Sequence, residues 1–312
     1  MRIVFFGTPQ FAVPTLGTLL QSRYTVCGVV TQPDRPRGRG QRVVDAPVKA
    51  LAVQHRIPVL QPERLKDPGV MDTLRVWGPD LGVVAAYGKL IPEAVISLPR
   101  LGMINVHASL LPKYRGAAPV QRAVIDGEPR TGVTIMRVEK MLDAGPMLAK
   151  VERAIGPDET SDVVLDELSQ LGAALLLDVV DRLDAGTQQE EQQDSMMSSY
   201  APRLTKEEGL IDWTLPASYI HNRVRGLYPW PHAYTYLDGT RLIILKTQVQ
   251  DASAAAEPGT IVEVTGESLH VATGHHGRIG IERVQLEGGK ALSVRDFLAG
   301  HRVTSGARLT SQ

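Results

Sequence analysis

The opening of the chain constrains its fold more than any other stretch. Arg2–Phe6 is a continuous apolar run that stops at Gly7-Thr8-Pro9. Phe11–Leu20 carries apolar residues at helical spacing (Phe11, Leu16, Leu19, Leu20), with Pro14 in the first turn, where no N–H is needed. Tyr24–Thr31 is a second apolar run. A buried strand, a helix and another buried strand make a βαβ unit, and such a unit implies a parallel, doubly wound sheet. The first turn, Gly7-Thr8-Pro9-Gln10-Phe11-Ala12, lacks the second and third glycines that let a backbone approach a pyrophosphate. A dinucleotide cofactor is therefore not expected.

The remainder continues this pattern as far as residue 183. Helical spacing recurs over 47–54, 70–77 and 160–183, and strands are expected at 58–61, 81–86, 131–138 and 147–154. Gly186–Ser199 is different, being polar, acidic and poor in core residues, and it reads as a linker. Beyond it come a short helix at 217–226 and five short strands, with Asp238-Gly239 as a hairpin turn. Closely spaced strands of this kind suggest a small closed barrel of the OB type. A chain of 312 residues, 43% apolar, has material for both cores.

Charge excludes little and supports little. Basic and acidic residues balance at 34 each, so any polyanion must be held by local patches. The single cysteine, Cys27, lies in an apolar run and suits a reducing compartment. No apolar run is long enough to span a membrane, and the N-terminus enters a strand directly, so a cytoplasmic, membrane-free protein is expected.

Chemistry-bearing residues gather in Met103–Gly127. Met103–His107 reads as a short strand whose side chains alternate, so Asn105 and His107 share one face. Pro112 ends the strand, Gly116 allows a tight backbone, and Pro119 starts a helix. An amide and an imidazole thus stand together at the C-terminal end of a strand, where open α/β sheets bind ligands. Two buried polar residues serving only loop backbone would give the same pattern. Tyr87–Pro92 leaves another strand end and reads either as a wall of the same crevice or as an ordinary turn. Asp143 lies in a turn, where Asp is common. In Gln32–Val44 the two prolines and two glycines exclude a regular element. That stretch is a solvated loop or a phosphate-binding one, and its Arg35, Arg37, Arg39 and Arg42 favour the latter. His275-His276 reads as an exposed pair, and no Cys/His spacing suits a metal.

Ser109-Leu110-Leu111-Pro112, Gly116 and Pro119 resemble the SLLPxxxGxxP signature of folate-dependent formyltransferases. The whole chain is similar to the methionyl-tRNA formyltransferase family, through GTPxFA at the start, TQPDRPRGRG, AAYGKLIP, NVHASLLPKYRGAAPVQRA, LDAG, KEEGLIDW and YPWPHA. The resemblance implies formyl transfer from 10-formyltetrahydrofolate, without metal, to the α-amine of initiator methionyl-tRNA. It implies a Rossmann-like catalytic domain at 1–188, a linker at 189–206 and an OB-like tRNA-binding domain at 207–312, acting as a monomer. Asn105, His107 and Asp143 become the catalytic residues, with Asn105 and a protonated His107 both donating to the oxyanion. Tyr87, Gly88, Leu90, Ile91 and Ser109, Leu110, Leu111, Pro112 become the folate contacts. Arg35, Arg37, Arg39, Arg42, Lys206, Arg223 and Arg225 become the tRNA contacts. Formyltransferases of small amines would keep the three catalytic residues, and an RNA-binding protein on a Rossmann-like scaffold is an alternative of another class. Neither accounts for an arginine loop, a barrel and three such groups together.

Overall fold

A computed structural model describes residues 1–37 and 42–311, apart from the side chains of residues 35–37, 42 and 43. The chain divides into two compact units. The first comprises residues 1–119, 130–153 and 165–201, and the second 120–129, 154–164 and 202–312.

The first unit opens with β1 (Arg2–Gly7), α1 (Val13–Gln21) and β2 (Thr25–Val30). Next come β3 (Arg35–Arg37), β4 (Arg42–Val44), α2 (Pro47–Gln54), β5 (Val59–Leu60), α3 (Pro68–Trp77) and β6 (Leu81–Ala85). The chain continues through α4 (Glu93–Ile96), β7 (Met103–His107), β8 (Arg115–Gly116), α5 (Pro119–Ile125), β9 (Arg130–Arg137) and β10 (Met147–Ala154). A long helix, α6 (Ser161–Asp184), precedes β11 (Tyr200–Ala201). The main sheet runs β10-β9-β7-β6-β1-β2-β5. Pairs β1–β2, β2–β5, β1–β6 and β6–β7 are parallel, and β9 enters antiparallel to β7. From β1 the chain builds outward through β2 to β5, then returns to β6 on the other side. The order reverses between β1 and β6, which is where sheets of this kind open a ligand crevice. Gly7 is in register with Ala85 and Ala85 with Val106, so the C-terminal ends of β1, β6 and β7 adjoin.

Alternation along β1 and β6 drives the packing. Val4, Phe6 and Val84 meet Cys27, Val30 and Met103 and, from α3, Val70 and Leu74. Burial pushes the Cys27 thiol up, and the thiol donates to Ile3 O at 3.2 Å. Gly132 of β9 sits where a side chain has no room. A Cβ there would lie 2.1 Å from Val151 O and 2.5 Å from Leu110 Cδ2. In the first unit two expectations fail. The tract expected to open the linker at 189–206 belongs to this unit as far as residue 201. Residues 35–37 and 42–44 are not irregular but form an antiparallel ribbon, with Pro36 opposite Val43. In a two-stranded ribbon both strands are edges, and an edge tolerates the missing proline N–H.

The second unit contains α7 (Ala217–Gly226), β12 (Ala233–Leu237), β13 (Thr240–Gln250), β14 (Ile261–Val264), β15 (Leu269–Ala272), β16 (Arg278–Leu286), β17 (Leu292–Ser293), α8 (Val294–Gly300) and β18 (Leu309–Thr310). Its antiparallel sheet runs β14-β15-β16-β13-β12-β18, with β17 on β16. Asp238 (φ 49°) and Gly239 (φ 74°) make the tight turn between β12 and β13, both in the left-handed region a two-residue hairpin requires. Irregularities at Ile244–Thr247 bend β13. The edges β14 and β18 meet through a bridge between Thr260 and Arg308, with Leu309 N donating to Gly259 O at 2.8 Å. The expected barrel is thus a half-barrel joined at one corner. Inside it Trp213 Nε1 donates to Thr235 Oγ1 at 3.0 Å.

Gly132→Ala should destabilise the protein by about 1–3 kcal/mol, because the added methyl meets backbone that cannot step aside. Thermal unfolding of the variant checks this, and an unchanged midpoint would show that β10 yields.

Candidate active site

β7 carries Asn105 and His107 on one face of the sheet. Its other face takes α6, where the absence of a side chain at Gly172 admits Val106 and Val133 closely. His107 is 5% exposed. Its Nε2 lies 2.9 Å from Tyr114 O, and since a carbonyl can only accept, Nε2 carries the proton and donates. Its Nδ1 faces Asp143 Oδ2 at 3.7 Å. Nε2 is therefore hydrogen-bonded, while Nδ1 lies beyond hydrogen-bond reach of the carboxylate in this geometry. Asn105 is half-buried, and its side-chain amide makes no hydrogen bond to any described residue.

Asp143 reaches the site from the turn between β9 and β10. Its backbone is left-handed (φ 48°), and its side chain is 13% exposed. Oδ2 accepts from Gly116 N at 2.9 Å, while Oδ1 has no partner among the described residues. Gly116 is as constrained. At φ 118°, a Cβ on it would lie 2.7 Å from the Tyr200 ring and 2.8 Å from Ala201 O. The site thus offers an unpaired amide, an imidazole beside a carboxylate, and a carboxylate oxygen open to accept a proton. Among the described residues no cluster of three or more His, Cys, Asp or Glu is placed to hold a metal.

The turn Ser109–Pro112 is held from below. Thr134, opposite His107 across the β7–β9 ladder, donates from Oγ1 to Ser109 O (2.8 Å) and accepts from Leu111 N (3.1 Å). Ser109 Oγ donates to Lys113 O at 2.7 Å. Ser109 is fully buried and Leu111 nearly so, packed with Met136 and Met147. Tyr87 is also buried, its ring edge-on to Phe6 at 5.5 Å and its carbonyl taken by Gln32 Nε2 at 2.7 Å. Burial pushes its hydroxyl up to about 12. Ser109, Leu111 and Tyr87, expected among the folate contacts through the backbone of their loops, have buried side chains. Leu110, Pro112 and Ile91 are half-buried, Gly88 is exposed, and Leu90 is 80% exposed.

A formyl transferase profile matches residues 1–180, and a formyl transferase C-terminal domain profile matches residues 203–302. The methionyl-tRNA formyltransferase of Geobacter metallireducens is 48% identical over 99% of this chain and 98% of its own length. The chain belongs to the methionyl-tRNA formyltransferase family. The relative from Methylococcus capsulatus is 47% identical over 99% of both chains. Two solved structures share the fold. A sugar 3N-formyl transferase in the presence of dTDP and 5-N-formyl-THF aligns at TM-score 0.68 and 16% identity, covering 90% of this chain and 97% of its own. The methionyl-tRNA formyltransferase from Clostridium thermocellum aligns at TM-score 0.55 and 14% identity, covering 82% and 97%.

Residues expected to meet the tRNA of a methionyl-tRNA formyltransferase are placed unevenly. Arg35, Arg37 and Arg42 lie on the β3–β4 ribbon, with residues 37 and 42 opposite one another, and Arg39 falls outside the described residues. Lys206 is exposed. Arg225 is 6% exposed and donates to Asn222 Oδ1 and to the carbonyls of Gly156 and Glu159. A guanidinium spent on three internal acceptors cannot meet a phosphate, so Arg225 is a structural residue of the second unit. Arg223 is half-buried and donates to Glu208 O through one guanidinium nitrogen.

Asn105, on the same strand face as the imidazole, has an amide without a hydrogen-bond partner among the described residues. Removing a donor aimed at a developing oxyanion costs about 100- to 1,000-fold in turnover. Asn105→Ala should lose that much in steady-state formyl transfer while its folate affinity, read by fluorescence titration, stays unchanged. Turnover close to wild type would remove Asn105 from the chemistry.

Proposed function

We propose that the chain transfers the formyl group of 10-formyltetrahydrofolate to the α-amine of methionine on initiator tRNA. The reading is carried by the unpaired Asn105 amide beside the His107–Asp143 pair, in a chain 48% identical to a methionyl-tRNA formyltransferase over 99% of its length. The amine attacks the formyl carbon and its carbonyl oxygen becomes an oxyanion. Asn105 donates a hydrogen bond to that oxygen. A protonated His107 imidazole, 5% exposed, adds charge stabilisation, with Asp143 as its counter-ion. Asp143 Oδ1, through a water, takes the proton that the attacking amine must lose and returns it to the folate N10 as the oxyanion collapses and the formyl–N10 bond breaks, releasing tetrahydrofolate.

The folate fits the reversal point of strand order. Its pterin needs hydrogen bonds from backbone and a surface to lie against, and carries no phosphate, which agrees with the missing glycines of the first turn. Gly88, Leu90, Ile91, Leu110 and Pro112 stand exposed or half-buried at the adjoining strand ends. Ser109, Leu111 and Tyr87 serve by holding those loops in shape. The second unit supplies tRNA affinity, since every proposed catalytic group lies in the first, and the arginine ribbon meets phosphate of the acceptor stem. The protein works as a cytoplasmic monomer.

Purified protein should formylate charged initiator tRNA and leave amino-sugar nucleotides untouched. Faster formylation of an amino sugar, with charged tRNA inert, would sink the reading.

The ribbon has its own test. A phosphate contact made by Arg42 releases counterions, so Arg42→Ala should weaken tRNA binding and lower the slope of log affinity against log salt by about 1. Superimposable salt titrations of variant and wild type would show that the ribbon makes no such contact.

A further inference from the structure

Residues 191–200 are exposed except Gln193, which is half-buried. Its side-chain amide is fully used. Nε2 donates to Asp143 O at 2.9 Å and to Gly145 O at 2.8 Å, while Oε1 accepts from Arg115 Nε at 3.0 Å and Nη2 at 2.8 Å. An arginine only donates and a carbonyl only accepts, so the amide can face one way alone. One side chain thus joins the two loops that flank His107. The residue it holds on one side is Asp143, in a left-handed backbone that an Asp keeps only when its surroundings hold it there. On the other side it holds Arg115, next to the Gly116 N–H that binds the Asp143 carboxylate.

The neighbouring residues anchor this contact at both ends. Met147 and Glu191 exchange backbone hydrogen bonds of 2.7 and 2.8 Å, and Arg137 Nε donates to Glu190 at 2.7 Å. Ser199 accepts from Tyr114 N through Oγ and from Arg115 N through its carbonyl, both at 2.9 Å, and Tyr200–Ala201 pairs with Arg115–Gly116. The segment is a strap laid across both loops, and Gln193 is the side chain by which it grips them.

We propose that Gln193 is a positioning residue of the formyl-transfer site, holding the Asp143 carboxylate between His107 and Gly116. The inference rests on the reading of Asp143 as catalytic. Gln193 touches neither the imidazole nor the carboxylate and acts through the Asp143 backbone. A displacement of about 1 Å in a catalytic group costs about 100-fold.

The test is a double-mutant cycle of Gln193→Met and Asp143→Asn, with thermal unfolding recorded for each variant. Methionine keeps the shape of the side chain and none of its hydrogen bonds. Gln193→Met should lower kcat about 10- to 100-fold with KM for folate and tRNA unchanged, and should cost nothing more in the Asp143→Asn background. Gln193→Glu keeps the acceptor for Arg115 but sets a carboxylate against two carbonyls, so it should not rescue activity. If Gln193→Met fails to fold, Arg115→Met breaks the same linkage from its other end and takes its place in the cycle. Wild-type kcat in Gln193→Met beside an inactive Asp143→Asn would overturn the inference and leave the reading of Asp143 standing. Losses that multiply in the double variant, or rescue by glutamate, would also overturn it. Wild-type activity in Asp143→Asn would instead remove the reading on which it rests.

Discussion

The hydrogen bond from Gly116 N to Asp143 Oδ2 ties together two loops that leave the sheet at different strands. Without it the carboxylate would be one more polar group on an exposed turn. With it the carboxylate faces His107 Nδ1, leaving one oxygen free. The arrangement demands unusual backbone at both ends, since Gly116 and Asp143 have positive φ. The glycine adopts that conformation at no steric cost, whereas the aspartate must be held in it. Much of the first unit's local detail follows from this, including the tight seat of Tyr200 and Ala201 against Gly116.

Legibility in the sequence followed periodicity. Asn105 and His107 could be assigned a common face because a strand alternates, and β7 runs over Met103–His107 as expected. A small barrel-like β domain was readable from strand spacing and from Asp238-Gly239, though its closure was over-read. Burial of Ser109 and Leu111 was not, because a motif marks which residues recur and is silent on whether a side chain or its backbone does the work. Thr134 was equally hidden. It is an ordinary β-branched strand residue until the ladder sets it opposite His107.

Two misreadings came from composition. The polar tract before Tyr200 looked like a linker because it has almost no core residues, yet polar side chains can bind a segment to a surface through hydrogen bonds alone. Arg225 was expected among the tRNA contacts. Ala217, His221 and Arg225 recur at four-residue spacing, so they share a helix face, and all three are buried. His221 confirms that face as internal, with Nδ1 on Thr247 Oγ1 at 3.0 Å and Nε2 on Pro157 O at 2.9 Å. The signal was present in the spacing and was outweighed by charge.

The strap across the two loops also sets the order in which the site can be completed. Chains are made from the N-terminus, and early segments begin to fold before later ones exist. β7 and the Asp143 turn emerge first, but the residues that seat Gly116 and grip the Asp143 turn come after the 24 residues of α6. A nascent chain that has just finished α6 holds every proposed catalytic side chain and still lacks their support. For this enzyme, synthesis must reach Ala201 before the catalytic geometry is locked, so the first unit matures only as the second begins to appear.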